Sequence, residues 1–180
     1  ITQMMMVDFR QWKTADEEAK SDFTKMNSEV QKIVEDYDFG SVIFFANNIK
    51  ETEQSFNLTM DLQKAATKDN GIPLLITTDQ EGGIVYRLGS GTALPGNMAL
   101  GATGDVNNAK IAGEIIGSEL SSLGINTTLA PVVDVNNNAN NPVIGLRSYG
   151  EDAEMVGKMA SAEIEGLAEY NVIGCAKHFP

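Results

Sequence analysis

Residues 74–83 read Leu74-Leu75-Ile76-Thr77-Thr78-Asp79-Gln80-Glu81-Gly82-Gly83, an apolar strand running into two carboxylates and a glycine pair. A parallel α/β sheet delivers polar groups to a site in this way, at the carboxyl edge of a strand. The apolar and β-branched residues suit a strand buried on both faces. Asp79 and Glu81 then stand where the strand gives way to a loop, and the two glycines permit a sharp turn or a close ligand approach. A second segment of the same kind lies at 172–180. There Val172-Ile173-Gly174-Cys175-Ala176 runs into Lys177-His178-Phe179-Pro180.

Working outward, strands and helices alternate. A short buried strand is expected at 4–7. A helix capped by Thr14 or Asp16 follows and runs to about residue 35, with a polar middle. Residues 41–45 read as a strand stopped by Asn47-Asn48. A helix over 52–68 turns Phe56, Met60 and Leu62 toward the core, and Asn70-Gly71 suits a left-handed cap. The Gly-rich stretch 89–104 has too little periodicity for a regular element. Residues 106–123 read as a helix with Ile111, Ile115, Ile116 and Leu120 at helical spacing and Gly124 as its cap. A strand is expected over 127–135, tolerating Pro131 only near a bend or end. A helix over 153–169 and a strand from 172 complete the pattern.

Alternating βα units imply parallel strands with right-handed crossovers. Polar clusters at successive carboxyl ends favour a (β/α)8 barrel of TIM type over a doubly wound sheet with one switch point. The Rossmann fingerprint is missing as well, since Gly89-Ser90-Gly91 has no glycine three residues on and no P-loop lysine follows. About five strands and four helices can be counted, whereas a closed barrel has eight of each and takes about 250 residues. Residues 1–180 are therefore expected to be the N-terminal portion of one barrel domain, cut after strand five. The rest of the barrel, or another chain, would cover the open edge.

With 180 residues, 42% hydrophobic and 21% charged, the chain has the composition of one globular domain. Its net charge of −12 argues against a nucleic-acid partner and disfavours docking on an anionic membrane. No run reaches the roughly 18 apolar residues of a membrane span. The single cysteine, Cys175, rules out an internal disulfide and reads as a buried, inert thiol within a strand.

Among candidate site residues, Asp79 leads, because a carboxylate ending a buried strand is costly unless something pairs with it. The bland alternative is a carboxylate capping loop amides, a role that also suits Glu81. Arg87 alone would be a surface arginine; beside Asp79 it offers a fork of donors for ligand hydroxyls. Arg147 lies in the loop 141–149, where function concentrates, or it forms a salt bridge that shapes that loop. Lys177 and His178 end strand five, and as the only histidine His178 cannot form a multi-histidine metal site. Asp134 reads as a strand-end anchor more than a ligand group. Carboxylate, arginines, lysine and imidazole on one rim suit a small, hydroxyl-rich, uncharged ligand.

Five ordered motifs sharpen this reading: Thr78-Asp79-Gln80-Glu81-Gly82-Gly83, then Val85-Tyr86-Arg87, Ala130-Pro131-Val132-Val133-Asp134-Val135, Arg147-Ser148-Tyr149-Gly150-Glu151-Asp152 and Ala176-Lys177-His178-Phe179-Pro180. Together they resemble glycoside hydrolase family 3, and within it the bacterial β-N-acetylglucosaminidases. The resemblance covers essentially the whole chain, from Met6-Val7-Asp8-Phe9-Arg10 onward. It implies a TIM-type barrel that removes terminal β-linked N-acetylglucosamine, typically from peptidoglycan-derived glycans. It also implies that Asp79, Arg87, Arg147, Lys177 and His178 hold the sugar hydroxyls. The family's mechanism is retaining, with an aspartate nucleophile. Its histidine acid/base and that nucleophile are expected beyond Pro180, so no catalytic residue is assigned to this chain. Asp79 is not promoted to nucleophile. No metal or organic cofactor is implied. Ile84 stands where cytoplasmic Gram-negative recyclers carry arginine, which leans toward a secreted or surface-anchored Gram-positive type. The alternatives are a family 3 β-glucosidase or β-xylosidase, and a non-catalytic sugar-binding module if the chain truly ends at residue 180.

Overall fold

In the computed structural model, residues 1–69 and 71–178 are described. The cap expected at Asn70 and the terminal Phe179 and Pro180 lie outside them. Two units are distinguished by their internal contacts. The first comprises Ile1–Thr78, Arg87–Ser90 and Ser122–Ile125, and the second Asp79–Tyr86, Gly91–Ser121 and Asn126–Pro180.

In the first unit, β1 (Met6–Asp8), β4 (Ser41–Phe44) and β5 (Leu75–Thr78) are parallel, with β4 in the middle. Register pairs Val7 with Val42 and Val42 with Ile76. Between β1 and β4, a two-residue hairpin of β2 (Gln11–Trp12) and β3 (Ser21–Asp22) precedes α1 (Ser28–Tyr37). The expected helix from residue 14 is thus corrected. Its polar first half has no apolar face to bury, and the helix starts only where Asn27 caps it by accepting from the Val30 amide. Asn48 ends the β4 segment as expected. Its side chain accepts from the Phe45 amide and donates to the carbonyls of Phe9 and Phe23.

Helix α2 (Thr52–Ala66) opens with a capping box between Glu51 and Gln54. It buries Ser55, Leu58, Thr59, Leu62 and Ala66, a stripe at helical spacing. Phe56 and Met60 fall off that stripe and are exposed, contrary to expectation; Leu62 is buried as expected. The 4–7 strand also differs: residues Thr2–Met4 form a short 3-10 turn, and Met4, Met5 and Met6 are exposed.

The second unit holds α3 (Asn97–Ala102), α4 (Val106–Ser122), the two-residue strands β6 (Thr127–Thr128) and β7 (Ile173–Gly174), and α5 (Ala153–Ala168). Helix α3 lies in the stretch expected to be irregular. β6 and β7 are parallel, and a further bridge joins Val132 to Lys177. The strand expected over 127–135 is broken after Thr128, since Pro131 has no amide hydrogen for a ladder. Leu100, Ala112, Tyr149, Val156 and Met159 form the unit's core. Helices α4 and α5 approach backbone to backbone at Gly113, where a Cβ would collide with the Glu163 carbonyl oxygen. Asp152 caps α5 by accepting from the Met155 amide.

Cys175 is exposed, not buried. It follows Ile173, also exposed, on the same side of an alternating strand, and only the opposite side packs inward. The parallel α/β expectation holds: five strands lie parallel to a neighbour, and the hairpin and α3 are additions to it.

Candidate functional site

The second unit gathers four of the five sequence candidates into one connected line of polar groups. Asp79 follows β5 directly, and Lys177 sits at the bridge beyond β7. The Lys177 carbonyl accepts from the Val133 amide at 2.6 Å, and its amide donates to the Pro131 carbonyl at 3.0 Å. That pairing brings Asp134 level with His178.

From this frame the side chains converge. Lys177 Nζ lies 2.8 Å from Asp79 Oδ1 and 2.6 Å from Glu81 Oε1. Arg147 donates to the same Glu81 through Nε and Nη2, both at 2.8 Å, in the two-pronged geometry that suits guanidinium and carboxylate. Arg147 Nη2 also reaches His178 Nε2 at 3.4 Å. At the far end His178 Nδ1 lies 2.6 Å from Asp134 Oδ2, which the His178 amide reaches too. A guanidinium can only donate and a carboxylate here accepts. The imidazole therefore carries its proton on Nδ1 and presents a lone pair at Nε2.

Glu81 is the hub of this line. Its side chain is only 2% exposed, where an unpaired carboxylate would cost several kcal/mol. Burial pushes its carboxyl up, but the hydrogen bonds from Arg147 and Lys177 outweigh that and hold it below the ordinary carboxylate range. Glu81 in turn drives Arg147 further toward the charged form. From the sequence Glu81 carries less weight than Asp79, because the amides of the turn can occupy it. Instead its own amide donates to the Val85 carbonyl and its carboxylate is left for the cations.

The loop bearing Arg147 is fixed on several sides. Asn97, at the start of α3, donates to the Arg147 carbonyl. Ser148 Oγ donates to the Asp134 carbonyl at 2.6 Å. Both residues escaped the sequence reading, Asn97 because its helix did. Asp134 matches its reading as an anchor, since it orients the His178 ring. A cavity of about 290 Å³ borders the network, with Glu81, Arg147, Ile84, Leu146, Gly83 and Gly96 in its wall. Arg87, the fifth candidate, belongs to the first unit and is half-buried there.

Among the described residues, no group of three or more His, Cys, Asp or Glu could hold a metal ion. No helix among them is long and apolar enough to cross a membrane. Chemically, the line offers acceptors at Asp79 and His178 Nε2 interleaved with donors at Lys177 and Arg147.

Comparison with known proteins shows the family. Beta-hexosaminidase A of Pseudoalteromonas piscicida is 40% identical over 189 residues, which span 99% of this chain and 31% of that protein. A glycoside hydrolase family 3 beta-N-acetylglucosaminidase from Paenibacillus sp. str. FPU-7 superposes with a TM-score of 0.89 at 40% identity, covering 99% of this chain and 32% of its own. NagZ from Neisseria gonorrhoeae, solved in complex with N-trifluoroacetyl-D-glucosamine, gives a TM-score of 0.83 at 30% identity, covering 97% of this chain and 49% of its own. The chain thus spans about a third of the first two proteins and about half of the third. The family model described as the glycosyl hydrolase family 3 N-terminal domain matches residues 1–180, and with the strand-end network in place the chain belongs to that family.

Proposed function

We propose that the protein is a retaining β-N-acetylglucosaminidase acting on terminal, non-reducing β-linked N-acetylglucosamine of peptidoglycan-derived or related glycans. In this reading residues 1–180 supply the side of the site that holds the sugar. The carrying observation is the unbroken line Asp79–Lys177–Glu81–Arg147–His178–Asp134. A pyranose ring carries vicinal hydroxyls, each both donor and acceptor. A rigid row of alternating charged acceptors and donors matches that pattern. Hydrogen bonds to charged groups contribute about 1.5–3 kcal/mol each, so a few suffice to orient one ring.

A retaining glycosidase needs one group to protonate the leaving oxygen and a carboxylate to attack the anomeric carbon. Glu81, clamped by two cations and 2% exposed, is a poor nucleophile. Asp79, tied to Lys177, keeps acceptor capacity that in this reading takes a sugar hydroxyl. The acid/base and the nucleophile are assigned to chain beyond residue 180, in keeping with relatives about three times as long. Arg87 stays in the sugar-holding set on the family resemblance. The sequence departure at Ile84 from the arginine of cytoplasmic recyclers leans this reading toward a protein secreted from, or anchored on, a Gram-positive cell.

The test is hydrolysis of an aryl β-N-acetylglucosaminide by the full-length protein and by residues 1–180 side by side. The expected result is activity in the full-length protein alone. Activity in residues 1–180 would relocate the chemistry to this chain. Cleavage of the aryl β-glucoside or β-xyloside in its place would change the sugar.

A further inference from the structure

Helix α5 buries Val156, Met159, Ala160, Glu163, Gly166 and Leu167 along one stripe, and one of these six is a carboxylate. Glu163 is 1% exposed, and among the described residues its Oε1 has no hydrogen-bond partner. Its Oε2 accepts from the hydroxyl of Tyr149, itself 2% exposed. A leucine there would avoid the cost of desolvating a carboxyl, so packing alone does not account for the residue. Tyr149 lies two residues after Arg147, on a segment bracketed by Gly145 and Gly150, both at positive φ (39° and 154°). Backbone bonds hold the two ends of the segment, from the Ser148 amide to the Gly145 carbonyl and from the Asn136 amide to the Gly150 carbonyl, and side-chain ties hold what lies between. Asn97 supplies one, to the Arg147 carbonyl, and Ser148 another, to the Asp134 carbonyl; the Tyr149–Glu163 contact adds a tie to helix α5.

We infer that Glu163 is a positioning residue. Through the Tyr149 hydroxyl it fixes the turn that aims the Arg147 guanidinium at Glu81 and His178. The inference rests on the proposed glycosidase reading for its effect on turnover, while its effect on Arg147 stands apart from that reading.

Four full-length proteins test it: wild type, Glu163→Gln, Glu163→Leu and Tyr149→Phe. Each is assayed on the aryl β-N-acetylglucosaminide well below its melting temperature. Hydrogen exchange of the Arg147 Nε–H is followed by NMR in the same samples. The glutamine variant keeps an acceptor for Tyr149 and should stay within about twofold of wild type in both readouts. Glu163→Leu and Tyr149→Phe should each lose about tenfold in kcat/KM, and their Arg147 Nε–H should exchange at least about tenfold faster. A glutamine variant as impaired as the leucine one would overturn the hydrogen-bonding role, as would a Tyr149→Phe protein unchanged in both readouts. If Glu163→Leu fails to fold, Tyr149→Phe, which removes one oxygen, decides the matter. A wild type inactive on every aryl glycoside would sink the glycosidase reading, and the exchange rates would still decide this one.

Discussion

Glu81 meets two cations while Asp79 meets one, and this asymmetry separates their roles. Removing Asp79 frees Lys177 to serve Glu81 alone, so Asp79→Ala should leave the melting temperature nearly unchanged. It should lower kcat/KM on the aryl β-N-acetylglucosaminide by about ten- to a hundredfold, the worth of one charged hydrogen bond. Arg147→Lys keeps the charge but cannot make the two-pronged contact, and a loss of about tenfold or more in kcat/KM is expected. The depressed Glu81 carboxyl also makes a pH prediction. A group whose folded-state pKa is lowered contributes stability that is present above the ordinary carboxylate range of 4.5 and is lost as pH falls through the lower folded value. The acid-side fall in melting temperature should therefore be shallower in Arg147→Met, where Glu81 loses the stronger of its hydrogen-bonding partners. Asp79, Lys177 and His178 were legible in the sequence because a titratable side chain closing an apolar run is seldom there for packing. Glu81 was undervalued because its Arg147 partner lies 66 residues away, and nothing local distinguishes a carboxylate held by turn amides from one reaching across a site.

Helix α5 carries the second pH effect, of opposite sign. Burial pushes the Glu163 carboxyl up to about 7; the Tyr149 hydroxyl offsets part of that, and the nearby Glu81 charge adds to it. A raised folded-state pKa gives stability that is full below the ordinary value of 4.5 and is lost as pH rises through about 7. The loss is on the order of 3 kcal/mol. Thermal melts across that interval should show the decline in wild type and its absence in Glu163→Gln. The contact of α5 with α4 predicts that Gly113→Ala destabilises by about 1–3 kcal/mol, because the added methyl meets the Glu163 carbonyl and one helix must move. Denaturant midpoints measure this directly. At this scale the sequence was readable where a buried stripe exists and unreadable where it does not. Helices α2, α4 and α5 were each placed to within about two residues, the usual ambiguity of helix ends. The hairpin of β2 and β3 has two residues per strand, too few for any periodicity, and α3 has only six. Phe56 and Met60 misled for another reason: their apolar character suggested burial, although their register put them off the buried face.

Across the whole molecule, a parallel α/β chain of 180 residues exposes Met4, Met5, Met6, Leu75 and Ile173, large apolar residues on or beside its strands. Relatives about three times as long have further chain with which to cover such surface. Residues 1–180 alone should accordingly enhance the fluorescence of an apolar dye several-fold more per mole than the full-length protein does; equal signals would mean the surface stays open in both. The parallel α/β class was legible because strand after strand ended in polar groups. One residue makes coverage measurable without any dye. Cys175 is the chain's only thiol, and it is exposed just past β7. A maleimide thus has a single place to react, and its rate becomes a chemical clock for the outer side of that strand: fast where the side is bare, slow where a neighbour has closed over it.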